Sequence, residues 1–218
     1  MILYTCEGSR GLRVGWTAAE LGISLDYRMM PFPPRKFCPE YVGLNPLGTV
    51  PMLVDGEIEL TESSAICHYI VEKQGNSSLL IQPGEPDYGY FLDFLHHADT
   101  TLTFAQTVYL RFAVLERSRG LAEAGEAYGR WFGARLARIE GRLKCRDYLC
   151  ADRFTIADLA VCYSLWLAQR TGLSRHFSPR LTSYMQRQIG RPAFLLALCR
   201  EREAGSAVSP SFLDLVGD

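Results

Sequence analysis

The stretch GTVPMLVDGEIELTESSAICHYI, residues 48–70, changes period halfway along. Met52-Leu53-Val54, then Asp55-Gly56, then Ile58 and Leu60 read as a β-hairpin, because Asp-Gly tolerates positive φ in a tight turn. From Ser63 to Lys73 the spacing is helical, and Gln74-Gly75-Asn76-Ser77-Ser78 stops it. The hairpin starts on Val50-Pro51. A proline heading a strand gives no N–H to the ladder, and an X-Pro bond is the one kind that turns cis at modest cost. Two readings stand: a cis bond that turns the Val50 N–H and C=O toward an extended peptide-like ligand, or a trans proline that merely blunts a sheet edge. Thr61-Glu62-Ser63-Ser64 then sets a carboxylate and three hydroxyls at the helix start. Thr61 or Ser63 serves there as a plain N-cap, or Ser63 and the unpaired amides of the helix end form a carboxylate site, with Glu62 beside it for an amine.

Working outward, Ile2-Leu3-Tyr4 is a short apolar strand run, and Leu12, Trp16, Ala19 and Leu21 suit one face of a helix from Ser9 that Gly22 stops. Residues 25–30 alternate weakly as a second strand. Pro31, Pro33 and Pro34 end it in a loop before a short helix over 36–42. The order within the first 75 residues is therefore β-α-β-α-β-β-α. Gln82-Pro83-Gly84-Glu85-Pro86-Asp87 reads as a linker, and beyond it residues 88–117, 125–149, 155–172, 181–189 and 192–202 all read as helices. The expected organisation is an α/β domain over 1–76, a linker over 77–87 and an all-helical domain over 88–218. Phe154-Thr155-Ile156-Ala157-Asp158-Leu159 carries a complete helix-start signal: Thr155 and Asp158 as a capping box, Phe154 and Leu159 as a hydrophobic staple. Its role is structural.

Composition narrows the function. Lys and Arg total 23 against 24 acidic residues, for a net charge of −1, so no general pull toward nucleic acid or an anionic membrane is expected. No apolar run approaches the ~18 residues a membrane span requires, and the first residues lack a leader pattern; cytoplasm is the expected location. The seven cysteines are odd in number and scattered, without zinc spacing, and His96 and His97 point apart on a helix, so neither a disulfide framework nor a metal site is expected.

Taken together, Asn45-Pro46-x-Gly48-x-Val50-Pro51, Glu62-Ser63, the βαβ start, Phe154-Thr155-x-Ala157-Asp158 and Arg191-Pro192-Ala193-Phe194 resemble the cytosolic glutathione S-transferase family, the last segment resembling bacterial members. The resemblance implies a thioredoxin-like first domain, an all-helical second domain and a homodimer, with glutathione as co-substrate and no metal. It implies that Thr49-Val50 and a cis Pro51 face the cysteinyl part of glutathione, that Ser63 holds the γ-glutamyl carboxylate and Glu62 its amine. Lys36, with Arg35, stands where a cation meets the glycyl carboxylate; otherwise both are ordinary loop charges.

Catalysis then rests on YTCEGSRGLRV, residues 4–14. A glutathione thiol, with a free pKa near ~8.5, needs a hydrogen-bond donor or a positive helix end to ionise at neutral pH. Ser9, at the start of the first helix, is the leading donor; as a plain N-cap it would only accept from the backbone. Cys6 occupies the place, counted back from Arg10, that some serine-type members fill with their active serine, and a cysteine there would favour thiol exchange through a mixed disulfide. Tyr4 stands where tyrosine-type members carry a phenol, and Thr5 is the remaining hydroxyl. Arg10 and Arg13 read as solvated helix charges or as contributors to local positive potential. In residues 102–112, Phe104 and Tyr109 are candidates for a second-substrate pocket. The expected function is attack of the glutathione thiolate on a hydrophobic electrophile. Its rivals are glutathione-dependent isomerisation, dehalogenation or thiol exchange, or a non-catalytic glutathione-binding scaffold.

Overall fold

Four short strands form one mixed sheet in the order β2-β1-β3-β4. β1 (Ile2–Thr5) pairs in parallel with β2 (Asp26–Met29) and antiparallel with β3 (Met52–Asp55), and β4 (Ile58–Leu60) pairs antiparallel with β3. Leu3, opposite Tyr27 on one side and Leu53 on the other, is fully buried. Asp55 is the last residue of β3 and pairs with Ile58, so the hairpin turns on Gly56-Glu57, one residue later than the Asp-Gly pair suggests. Gly56 has a φ of 65°, which explains a glycine at that point. The structure, a computed structural model, describes residues 1–75 and 77–216.

The chain divides into two compact units, Met1–Asn76 with Arg191–Asp218, and Ser77–Gly190. Composition separates the chain near residues 76 and 87, whereas compactness groups the terminal segment with the first unit. The cause is α10 (Pro192–Gly205), which packs on α1 (Gly11–Glu20). The Trp16 and Phe194 rings meet edge to face at 4.8 Å, and Arg191 donates to both Glu20 carboxylate oxygens at 2.7 and 2.9 Å. α4 (Ser63–Gln74) packs against α1 as well. Covered from two sides, α1 buries every residue from Gly11 to Ala18. Arg13 is thus a fully buried cation and not the solvated helix charge the sequence allowed.

Between β2 and β3 the single helix expected over 36–42 is two short turns, α2 (Pro34–Phe37) and α3 (Tyr41–Leu44). Pro39 lies between them; it has no N–H to continue the helical ladder. The Val50-Pro51 bond is cis, as are Phe32-Pro33 and Ser209-Pro210.

The second unit is helical. Where one helix was expected over 88–117, α5 (Tyr88–His97) and α6 (Phe104–Tyr109) alternate with wide π turns over 98–103 and 110–115. At the first of these, the Ala98 carbonyl accepts the Thr103 hydroxyl at 2.7 Å and the Ser164 hydroxyl at 3.2 Å. α7 (Ala122–Arg142), α8 (Ile156–Arg170) and α9 (Pro179–Ile189) follow. α8 is buried from Ile156 to Ala168 and starts on the expected capping box. Asp158 does more than cap: Oδ2 accepts from the Thr155 amide and hydroxyl, while Oδ1 accepts from the Leu149 amide at 2.9 Å and the Tyr184 hydroxyl at 2.8 Å. A last helix, α11 (Phe212–Val216), lies in the first unit and carries no sequence signal strong enough to announce it. Among the described residues, no helix is long and apolar enough to cross a membrane.

Candidate functional site

Strand pairing brings the candidate groups of the first unit to one end of its sheet. Tyr4 pairs with Met52 at the end of the β1–β3 ladder, so the loop leaving β1 runs beside Val50-Pro51 entering β3. Cys6 and Val50 accordingly share a buried cluster with Met30, Tyr41 and Met52. A Cβ added at Gly11 would sit 3.6 Å from the Pro51 side chain, which sets the start of α1 against the same proline.

The turn before Val50 is tied by Asn45. Its side-chain Oδ1 accepts from the Leu47 amide at 3.1 Å, its Nδ2 donates to the Thr49 carbonyl at 2.8 Å, and its main-chain carbonyl accepts from the Gly48 amide at 2.8 Å. The Tyr41 hydroxyl donates to the same Thr49 carbonyl at 2.9 Å. With that oxygen committed, Thr49 holds the turn, and Val50, 7% exposed, emerges beyond the end of the ladder. In the sequence Asn45 stands out only as part of the motif that carries the family resemblance, and Tyr41 does not stand out at all. The Asn-Pro-x-Gly spacing was the available signal, since asparagine favours hydrogen bonds to its own turn.

At the head of α4, neither Thr61 nor Ser63 is the N-cap. Glu62 holds that position, exposed and without a side-chain cap bond, and Ser63 is the first helical residue. The Ser63 hydroxyl, 3% exposed, accepts from Arg13 Nη1 at 3.1 Å. A guanidinium therefore stands behind a helix end whose own amides carry partial positive charge, and both favour an anion there. Glu62, exposed beside it, supplies a carboxylate for a cation.

The β1–α1 loop holds the thiol-directed candidates. Thr5 and Ser9 are buried, with hydroxyl oxygens 3.1 Å apart; Thr5 also donates to the Cys6 carbonyl at 3.2 Å in one hydroxyl orientation. Ser9 Oγ accepts from the Gly11 amide at 3.3 Å, so it supports the entrance of α1 although the helix itself begins at Gly11. A Cβ at Gly11 would lie 1.9 Å from Thr5 Oγ1; only glycine admits the Thr5–Ser9 pair. Cys6 is fully buried, and its thiol lies 3.7 Å from the Pro31 carbonyl. Burial, followed by the charge of Glu201, pushes that thiol far above its ordinary value, the opposite of what a nucleophilic cysteine requires. Tyr4 is half-buried, its ring 5.8 Å from that of Tyr41 in the packing around this cluster.

Other candidates are dispersed. Arg35 and Lys36 are exposed on α2, with the Lys36 ammonium 4.9 Å from the Phe37 ring centre. In the second unit Phe104 is 54% exposed and meets Tyr128 edge to face, whereas Tyr109 is buried and its hydroxyl accepts from Arg175 at 3.4 Å.

The family profile described as "Glutathione S-transferase, N-terminal domain" matches residues 1–72, and the one described as "Glutathione S-transferase, C-terminal domain" matches residues 130–192. Glutathione S-transferase 3 of Schizosaccharomyces pombe is 25% identical, over 90% of this chain and 86% of its own. A solved sphingomonad glutathione S-transferase complexed with glutathione superposes with a TM-score of 0.78 at 25% identity, over 92% of this chain and 98% of the other. The glutathione transferase URE2P6 of Phanerochaete chrysosporium, solved with oxidized glutathione, shares the fold with a TM-score of 0.80 at 23% identity, over 93% of this chain and 96% of its own. With both domain profiles matched in order, on a thioredoxin-like sheet followed by a helical unit, the chain belongs to the glutathione S-transferase family.

Proposed function

We propose that this protein binds glutathione in its first unit and ionises the thiol for attack on a hydrophobic electrophile. The observation that carries the reading is the anion-favouring start of α4, where buried Ser63 is backed by buried Arg13. In this reading the γ-glutamyl carboxylate lies at Ser63 and the first α4 amides, and its amine at Glu62. The cysteinyl main chain pairs with Val50 ahead of Pro51, with Thr49 and Asn45 fixing that turn, and Lys36 or Arg35 meets the glycyl carboxylate.

Ser9 is the proposed donor to the sulfur. Two hydroxyl hydrogens serve the Thr5–Ser9 pair, so when Thr5 donates to Ser9 Oγ the Ser9 hydrogen is available to a thiolate. Gly11 supports the same arrangement by donating to the Ser9 oxygen. Cys6 has no matching support as a nucleophile, which disfavours thiol exchange through it. Phe104, being exposed, is the better placed of the two aromatic candidates to meet an electrophile, and Tyr109 is a packing residue. The apolar side chains of Phe37, Val42, Leu44 and Leu47, exposed along one short segment, suit the homodimer that the family resemblance implies.

An ultraviolet difference titration of glutathione with wild type, Ser9→Ala and Cys6→Ala tests the assignment. Thiolate absorbance appearing well below the free value of ~8.5, lost in Ser9→Ala and kept in Cys6→Ala, is the expected result. Binding without a thiolate shift would leave a scaffold protein, and no binding would end the glutathione assignment.

A further inference from the structure

The loop that carries Ser9 is held from an unexpected side. Glu201, on α10, is fully buried, and its Oε2 accepts from the Gly8 amide at 2.9 Å, although 193 residues separate the two in the chain. Its Oε1 is buried without a hydrogen-bond partner among the described residues. Gly8 is itself constrained. Its φ is 72°, and an added Cβ would come within 2.3 Å of the Leu213 side chain, so the peptide is pressed between α11 and the Glu201 carboxyl. The Ser9 amide, next in the chain, donates to the Cys6 carbonyl at 3.0 Å, closing the turn in which Gly8 sits. The amide that Glu201 holds belongs to the Glu7–Gly8 peptide, and the Cys6–Ser9 bond ties that peptide and the next into one turn, so a tilt of the first is passed on to Ser9.

We propose that Glu201 is the positioning residue of the thiol-activating loop: by accepting the Gly8 amide it fixes the turn from which the Ser9 hydroxyl is aimed. The role of Ser9 comes from the transferase reading above; the Glu201–Gly8 bond stands apart from it.

The surroundings favour a neutral acid in this position. Burial pushes the Glu201 carboxyl up to about 8, the nearby Glu7 charge adds to this, and the Gly8 amide opposes it. Around it stand Glu7 and the neutral Cys6 thiol from the β1–α1 loop, the Tyr27 phenol from β2, and Arg200 and Arg202 on α10, the latter 3.6 Å from Glu7. From α1 the buried cation is Arg13, engaged with Ser63. A protonated carboxyl keeps an acceptor for Gly8 while placing no negative charge beside a loop meant to stabilise a thiolate. An ionised one keeps the bond but opposes the thiolate.

Three measurements on the full chain test this: the pH dependence of the Gly8 amide resonance, the midpoint of glutathione thiolate formation, and steady-state kinetics in Glu201→Ala and Glu201→Gln. In wild type the Gly8 resonance shifts with a midpoint near 8, and in Glu201→Gln that transition is gone. Glu201→Ala loses about tenfold in kcat and shows a raised thiolate midpoint, with KM for glutathione within about twofold; Glu201→Gln, which keeps an acceptor, recovers both. A folded Glu201→Ala with unchanged kcat and thiolate midpoint overturns the proposal. So does Glu201→Gln behaving like Glu201→Ala. If Glu201→Ala does not fold, Glu201→Gln decides: a Gly8 resonance that still shifts near 8, or a lost thiolate midpoint, refutes the role, and loss of the shift near 8 with the midpoint kept upholds it. Wild type that binds no glutathione would refute the transferase reading and with it the role of Ser9, while the Gly8 shift near 8, which requires no ligand, would still test the hold of Glu201 on the loop.

Discussion

The hydroxyl oxygens of Thr5 and Ser9 lie 3.1 Å apart, at a point where Gly11 leaves no room for a side chain. If Thr5 orients the Ser9 hydrogen toward sulfur, the two variants differ in depth. Ser9→Ala is expected to lower kcat by about 10²-fold with little change in KM for glutathione, and Thr5→Val by about tenfold. Gly11→Ala should be at least as damaging as Thr5→Val, because the new methyl displaces the Thr5 hydroxyl. Kinetics with an aryl halide, paired with the thiolate titration, checks the ranking; equal activity in wild type and Ser9→Ala would remove Ser9 from the mechanism.

Arg13 and Ser63 join α1 to α4 beneath the expected γ-glutamyl site. Ser63→Ala removes one acceptor of a buried guanidinium and is expected to cost about 1–3 kcal/mol in stability. It should also weaken glutathione by about tenfold or more, the equivalent of ~1.4 kcal/mol. Denaturant unfolding and calorimetric titration separate the two effects. Arg13→Lys keeps the charge but loses the planar fork, so its affinity should fall between those of wild type and Arg13→Leu.

Stability should carry a pH signature from Glu201. Its folded value, about 8, lies above the ordinary 4.5, so between these values the folded state holds the proton more tightly than the unfolded one. The stabilisation from this group is complete below about pH 4.5 and is lost as pH rises through 8, with a slope of up to about 1.4 kcal/mol per pH unit. Subtracting the Glu201→Gln unfolding curve from that of wild type at several pH values isolates it; a flat difference between pH 5 and 8 would contradict the buried, neutral carboxyl.

In the second unit, Asp158 is the group whose loss should be felt most. Burial raises its carboxyl to about 6, against four donors that converge on it and favour its charged form. Asp158→Ala strands the Leu149 amide, the Tyr184 hydroxyl and the start of α8, and is expected to cost about 3 kcal/mol or more. Thermal or urea unfolding at pH 7 gives the number.

Alkylation distinguishes the cysteines. Cys6, Cys67, Cys150 and Cys162 are buried, while Cys145 and Cys199 are exposed. Brief iodoacetamide treatment of the folded protein followed by peptide mass mapping should label Cys145 and leave Cys6 untouched. Cys199 should lag behind Cys145, since its hydrogen bond to Glu203 raises its pKa. Rapid labelling of Cys6 would revive the thiol-exchange reading.

The features legible in the sequence are those whose causes are local. The hairpin with α4 behind it, the βαβ start and the capping box at Thr155 and Asp158 follow from side-chain period and from turn and cap chemistry within a few residues. The Asn-Pro-x-Gly-x-Val-Pro run and Glu62-Ser63 carried the family resemblance because short spacings hold a turn and a helix end in fixed relation. The burial of Arg13 was not legible, since a charge on a helix is solvated until two other helices cover it, and only the packing of α4 and α10 on α1 does so. The fate of Cys6 was hidden for the same reason: its position in the loop suggested reactivity, and its place in a buried cluster removes it. The Ala98 turn meets a hydroxyl 66 residues away, and the hold of Glu201 on Gly8 spans 193. Such contacts leave no periodic trace along the chain, so the tertiary structure alone decides which of the local signals become chemistry.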